Sequence, residues 1–429
     1  MNSSIEGVRL RYRQVRAHTL SLTSTLSAED QCIQSMPDAS PAKWHLGHTT
    51  WFFEAMLLRP HAAAYRVFDP AFHYLFNSYY EALGPRQPRP RRGMLSRPGL
   101  DVVLAYRQHV DDAMQAWMSG LDADAWSAVL PTIVLGLQHE QQHQELILTD
   151  ILHALSCNPL LPAYWGEAPE GDDSRKGAAE QAWSDGLLPG DSGVEMQPRA
   201  PRWLERGGAM AEAGHDGNGF AFDNETPRHP VWLQPYAMAD RLVSCGEYLA
   251  FMEDGGYSRP ELWLSEGWAT VQSEAWKAPI YWLHRDDPRL AGRPLASAWQ
   301  VFGLQGVQPL NPDAPVSNLS FYEACAYAEW ARARLPTEFE WEDCCEKEGL
   351  PQAFGHVWQW TRSAYAPYPG FRPLAGPAAE YNGKFMVGQQ VLRGSSIATP
   401  DSHSRITYRN FFPPAARWQF TGLRLARDL

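Results

Sequence analysis

The sequence predicts a two-domain α+β chain, with a helical N-terminal half and an irregular C-terminal half of short strands. The chain has 429 residues, more than one ordinary core accommodates. Its first 156 residues carry apolar side chains at helical spacing. From Pro201 onwards the segments shorten, and Gly, Pro, Asn and Trp interrupt them often, the pattern of short strands and long loops.

Each element has its own signal. Glu6–Leu26 places Val8, Tyr12, Val15, Leu22 and Leu26 on one stripe, predicting a first helix. Ser40-Pro41 reads as an N-cap followed by a first-turn proline for a second helix, the one that carries His48. Residues Arg66 to Arg97 read as a long insertion. Asp101–Met118 predicts a third helix with Val102, Tyr106, Val110, Met114 and Trp117 on its apolar face. Pro131-Thr132 is expected to open a fourth, running to about Leu155 and closed by Asn158-Pro159. The expected divisions are a helical domain over 1–158, a polar Gly-, Pro-, Asp- and Glu-rich linker over 159–200, and a second domain over 201–429. In that last part helical patterns are expected at Cys245–Met252 and Ser320–Arg334. No internal repeat of solenoid period is present.

Composition excludes several functions. The net charge of -12 and the single short basic cluster, Arg86 to Arg92, argue against a nucleic-acid partner. No apolar run approaches 18 residues, so no membrane span is expected. Met1–His18 alternates Arg with apolar residues and does not read as a secretory signal. The six cysteines form no CxxC pair and no disulfide framework, so a reducing cytoplasm is expected. The 18 tryptophans suit aromatic-lined sites. Nothing in the sequence sets an oligomeric state.

The chemistry concentrates in Gly136-Leu137-Gln138-His139-Glu140-Gln141-Gln142-His143-Gln144-Glu145. Histidines four apart stand on one helix face and can share a metal ion. Trp44-His45-Leu46-Gly47-His48 supplies a third candidate from a second helix. All-imidazole sites suit Zn, Cu, Fe or Ni. His139-Glu140-Gln141-Gln142-His143 also fits the H-E-x-x-H template of zinc proteases, with Glu140 as general base. On a loop, Tyr79 and Tyr80 are candidate proton donors near an open metal site, or plain packing. Arg86 and Arg89 are candidates for bidentate carboxylate binding, or a solvated proline-rich loop. Near the C-terminus, Asn410, Phe411 and Phe412 offer an amide and aromatic faces suited to a cation, or a core strand.

Together these strings resemble the sulfoxide synthases of ergothioneine biosynthesis (the EgtB type) and the related selenoneine synthases (the SenA type). The resemblance extends through Glu225-Thr226-Pro227-Arg228-His229-Pro230-Val231, Gly246-Glu247-Tyr248, Leu335-Pro336-Thr337-Glu338-Phe339-Glu340-Trp341-Glu342, Gly355-His356-Val357-Trp358-Gln359-Trp360 and Gly422-Leu423-Arg424. It implies a DinB-like four-helix bundle followed by an irregular C-type-lectin-like domain of the formylglycine-generating-enzyme kind. It further implies Fe(II) held by His48, His139 and His143, with His45 outside the metal shell and Glu140 outside the chemistry. The implied substrates are hercynine, O2 and a sulfur or selenium donor: cysteine, γ-glutamylcysteine or a selenosugar. Gln142 and Asn410 are expected to hold hercynine, with Phe411 and Phe412 facing its quaternary ammonium. Tyr79 and Tyr80 match the tyrosine pair of the cysteine-using branch.

Some strings depart from the ergothioneine pattern. Arg393-Gly394-Ser395-Ser396-Ile397-Ala398-Thr399-Pro400 stands where R-G-G-S-C-A-T-P is usual, and Pro315-Val316-Ser317-Asn318 where P-V-C-H is usual. Gln359 replaces a glutamate. Such polar replacements suit recognition of a hydroxylated selenosugar, with Ser395 and Ser396 as the expected contacts; neutral drift explains them equally. Three competing functions stand beside the iron enzyme. One is a zinc hydrolase using Glu140, another a lectin-like module that only binds. The third is a formylglycine-generating enzyme, which needs a cysteine pair that Cys344-Cys345 supplies poorly.

Overall fold

The computed structural model describes residues 4–165 and 200–429. Most of the expected linker, 166–199, lies outside the described residues. The chain forms two compact units: the N-terminal helices together with Leu374–Tyr381, and the remainder of the C-terminal half.

In the first unit the main helices are α1 (Ile5–Thr23), α2 (Ala42–Phe53), α3 (Leu100–Ser119) and α4 (Ala123–Ser156). Ser4 caps α1 by accepting from the Gly7 amide, and Asp122 caps α4 by accepting from the Ala125 amide, satisfying amides the helix leaves free. Every residue of α2 is buried. It packs on α3 and α4, while α1 packs on α4. Gly136 permits the close α2–α4 approach. A methyl group there would lie 2.7 Å from the Phe53 ring and 2.8 Å from that of Phe52.

Three local expectations are corrected. α4 begins eight residues before Pro131 and carries that proline inside it. The Asp122 cap and the buried Trp126, Val129 and Ile133 continue the helix through the one backbone hydrogen bond that proline removes. Ser40 does not cap α2; Pro41 occupies that position without a side-chain cap. The Ser40 amide instead donates to Asp150, and its hydroxyl accepts from Arg92. The buried face of α3 is Val103, Tyr106, Val110, Met114 and Met118. It keeps Tyr106, Val110 and Met114 of the expected stripe and differs by one residue at each end, so Val102 is exposed and Trp117 only half-buried. The insertion between α2 and α3 folds into short turns at Phe72–Leu75, Glu81–Leu83 and Arg89–Met94.

The second unit is built of short sheets. β1 (Trp203–Arg206), β2 (Tyr236–Ala239) and β7 (Ala426–Asp428) form one, in the order β1-β2-β7. Another has the order β5-β4-β3-β6, from β3 (Trp358–Ala364), β4 (Gln390–Gly394), β5 (Asn410–Phe412) and β6 (Thr421–Gly422). The helices are α5 (Cys245–Glu253), α6 (Ser265–Ser273), α7 (Phe321–Trp330) and α8 (Glu338–Glu348). α5, α7 and α8 open with reciprocal capping boxes, Ser244 with Glu247, Ser320 with Glu323 and Thr337 with Glu340, which end the run of loop residues before each. α6 and α8 were not expected from the apolar pattern, and α7 stops four residues short of the expected Arg334. Trp341, Trp358 and Trp360 are fully buried, so in this unit much of the tryptophan content builds core. Among the described residues no helix is long and apolar enough to cross a membrane.

Candidate metal centre

The first unit brings His48, His139 and His143 together. One ring nitrogen from each lies within 4.8 Å of the others, and all three residues are buried. His139 and His143 sit one turn apart on α4, and His48 faces them from α2. The Nε2 atoms of His48 and His139 are 3.1 Å apart.

Two of the rings are held from behind. His48 Nδ1 donates to the backbone carbonyl of Phe76 at 2.7 Å. A carbonyl only accepts, so Nε2 carries the free lone pair. The His48 ring is stacked between Trp44, at 4.6 Å and 12°, and Trp51, at 5.8 Å and 16°. His143 Nδ1 lies 2.8 Å from His45 Nδ1, and His45 Nε2 lies 3.1 Å from Asp150 Oδ2.

Burial is the leading cause that lowers the proton affinity of all three rings. His139 is brought down to about 3, with the His45 ring adding to the effect and the Glu140 carboxylate opposing it. His48 and His143 fall well below the usual imidazole value, burial being reinforced by the neighbouring imidazoles and Arg92. Neutral imidazoles with converging lone pairs are the donor set a divalent transition metal requires. The residues therefore fit an Fe(II) or Zn(II) ion, and three neutral ligands leave coordination positions open for substrates.

Glu140 takes no part in this face. Its carboxylate is wholly buried among Arg16 (2.9 Å), Arg107 (2.5 Å) and the Thr19 hydroxyl (2.6 Å). Burial works to raise its pKa, but Arg107 and Arg16 overrule it and hold the group at about 2. A carboxylate so held is a poor proton acceptor and is tied to α1 and α3, which removes the base that the zinc hydrolase reading needs.

A phenol cluster adjoins the histidines. Tyr80 is buried with its ring 4.7 Å from Tyr79 and 5.5 Å from Trp51. Burial and the neighbouring Tyr79 raise its pKa well above the usual phenol value. The sequence reading missed Tyr381. Its ring lies 6.3 Å from Tyr79 and 5.7 Å from His139, and its hydroxyl donates to the side-chain carbonyl of Gln142. It stands 239 positions after Gln142, in the segment Leu374–Tyr381 that the fold returns to the first unit. No local spacing signals that return.

The arginines divide differently from expectation. Arg86 pairs with Glu81 at 2.8 Å and is 36% exposed, while Arg89 is exposed and donates to the Asp38 carbonyl. The buried arginine is Arg92, which lies 3.4 Å over the Trp44 ring and donates to the hydroxyls of Ser40 and Ser78.

In the second unit Asn410, Phe411 and Phe412 form β5 and are half-buried. Phe411 stacks on Tyr365 at 4.1 Å, and Phe412 meets Trp418 edge-on at 5.9 Å. The Ser395 hydroxyl accepts from the Gly355 amide, and that of Ser396 from the Ala398 amide, so both brace local backbone. Gln359 is a buried hub, its side-chain carbonyl accepting from Trp341 and Arg424 and its amide donating to Ala353. Burial pushes the thiols of Cys344 and Cys345 up to about 12 and 11, far from the thiolate that sulfur nucleophiles use.

Comparison with known proteins agrees with this division. Residues 11–147 match the DinB superfamily, and residues 197–349 and 345–429 match the Sulfatase-modifying factor enzyme 1-like domain. The chain is 29% identical, over 92% of its length and 88% of the relative's, to a hercynine oxygenase of Mycolicibacterium thermoresistibile. It is 29% identical to the hercynine oxygenase of Mycobacterium tuberculosis, with 97% of each chain covered. A formylglycine-generating enzyme of Streptomyces coelicolor is 30% identical over 56% of this chain and 93% of its own. The C-terminal match spans more than half of the sequence, and both hercynine oxygenases align along nearly all of it. The chain belongs to the sulfatase-modifying-factor-like family, in a two-domain arrangement of the EgtB type.

Proposed function

We propose that this enzyme uses Fe(II) and O2 to join sulfur or selenium to the imidazole C2 carbon of hercynine. The observation that carries the reading is the buried cluster of three neutral histidines beside three phenols, in a chain whose full-length relatives are hercynine oxygenases. A ferrous ion held by His48, His139 and His143 supplies Lewis acidity and one-electron chemistry with O2.

The rest of the work falls to the chain's own groups. Gln142 and Tyr381, hydrogen-bonded to each other, orient an imidazole substrate beside the His139 ring. The Tyr381 hydroxyl is placed to deliver a proton, and Tyr79 with its buried neighbour Tyr80 extends the phenol cluster behind it. Within the second unit, Asn410, Phe411 and Phe412 offer an amide and aromatic faces, a chemistry that suits a quaternary ammonium. The donor is a thiol or a selenosugar. Reaction of the iron-loaded enzyme with hercynine, O2 and each donor in turn, read by product mass, tests the function and separates the two donor classes.

The hydrolase reading loses support because Glu140 is committed to Arg16 and Arg107. The formylglycine reading loses it because the described cysteines are free and the adjacent pair is buried.

A further inference from the structure

His45 looks at first like a spare histidine, yet it is buried and both of its ring nitrogens are engaged, one by a metal-ligand candidate and the other by a carboxylate. Asp150 Oδ2 also accepts from the Ser40 amide at 2.8 Å. An ionised carboxylate only accepts, so the proton of this contact sits on His45 Nε2. With one proton per ring, His45 Nδ1 is then the acceptor, and the hydrogen of the 2.8 Å contact sits on His143 Nδ1. That leaves Nε2 of His143 as its only lone pair, pointed into the cluster.

The three ligand candidates are therefore supported unequally. His143 is backed by a carboxylate–imidazole relay, and His48 by the carbonyl of Phe76. His139 Nδ1 is buried and has no hydrogen-bond partner among the described residues. A ligand imidazole whose far nitrogen donates to a strong acceptor is fixed in tautomer and becomes the more basic donor. We infer that His45 and Asp150 are positioning residues that make His143 the anchor of the metal shell and leave His139 its most weakly held member.

This rests on the metal reading above, and Co(II) as the probe separates the two. Co(II) is titrated into the wild type, His45→Phe and His45→Asn, with affinity, d–d absorption and exchangeable paramagnetically shifted protons as readouts. His45→Asn keeps an acceptor near the Nδ1 position; His45→Phe does not. The expected result for His45→Phe is Co(II) affinity weakened about 10- to 100-fold, an altered absorption envelope and loss of one protected N–H signal, with His45→Asn restoring most of each. Asp150→Leu is expected to change the same readouts in the same direction. Melting curves of the metal-free variants establish that they fold, and the wild-type spectrum must show the His143 N–H. Wild-type affinity and an unchanged spectrum in His45→Phe would overturn the relay and leave the metal site standing. Failure of the wild type to bind Co(II) would overturn both.

Discussion

Tyr381 hydrogen-bonds to Gln142, the residue that precedes His143 on α4, and its ring stands 5.7 Å from that of His139. A phenol from the C-terminal half of the sequence is thereby placed beside the His139 ring. Tyr381→Phe removes the hydroxyl and keeps the ring. Turnover is expected to fall by about 10²- to 10⁴-fold, the usual worth of a positioned proton donor, with metal content unchanged. Tyr79→Phe and Tyr80→Phe are expected to reduce turnover more than iron binding. Parallel metal analysis and steady-state kinetics check all three, and equal loss of metal and activity would remove the proton-donor role.

Glu140 is a structural anion. Replacing it with Gln leaves Arg16 and Arg107 buried without their shared counter-charge, at a cost of about 3–5 kcal/mol. Urea denaturation of the metal-free protein measures this. Its pH dependence is also set. The carboxyl titrates at about 2 in the folded chain against an ordinary 4.5, so its contribution is present above 4.5 and drains away as pH falls towards 2.

The histidines impose a second dependence, on the metal-free protein. Their folded-state proton affinity lies below the ordinary 6.5, so below that pH the unfolded chain takes up protons that the folded chain refuses. Stability is expected to decline as pH drops from about 7 towards 5, and less so when each histidine is replaced by a neutral residue. Melting temperatures across that range in the wild type and His139→Asn test the effect, and a flat profile in the wild type would contradict it.

Gly47 lies between His45 and His48 with no room for a side chain. A methyl group there would sit 2.3 Å from the Phe76 ring. Phe76 must then move, and its carbonyl is what holds His48 Nδ1. Gly47→Ala is expected to cost about 1–3 kcal/mol and to weaken metal binding as well. Calorimetric melting and a metal titration measure the two effects separately.

The sequence made the helical half largely legible because its chemistry is local. His139 and His143 declare themselves by helical spacing, and the Trp44 to His48 string supplies the third ring. Boundaries failed where a tertiary partner decided them. Pro131 lies inside α4 because Asp122 caps the helix earlier, and Ser40 turns to Asp150 and Arg92 rather than to α2. The site's remaining parts were hidden for the same reason. Tyr381 reaches Gln142 only through the return of Leu374–Tyr381 to the first unit, and the burial of Arg92 rather than Arg86 depends on where Trp44 stacks. Ser395, Ser396 and Gln359 suggested ligand contacts by type, yet their polar atoms are engaged by neighbouring backbone and core side chains.

Product mass after anaerobic loading with Fe(II), then O2, hercynine and either cysteine, γ-glutamylcysteine or a 1-selenosugar, bears most directly on the function. The expected result is O2 consumption with a new carbon–sulfur or carbon–selenium bond at the imidazole, abolished in His48→Ala, His139→Ala and His143→Ala. A carbon–selenium product from the selenosugar with little from the thiols would assign the selenium donor, and a sulfoxide from a thiol would assign the sulfur donor. Recovery of unchanged hercynine with every donor, from protein shown to hold iron at the three histidines, would contradict the proposed reaction.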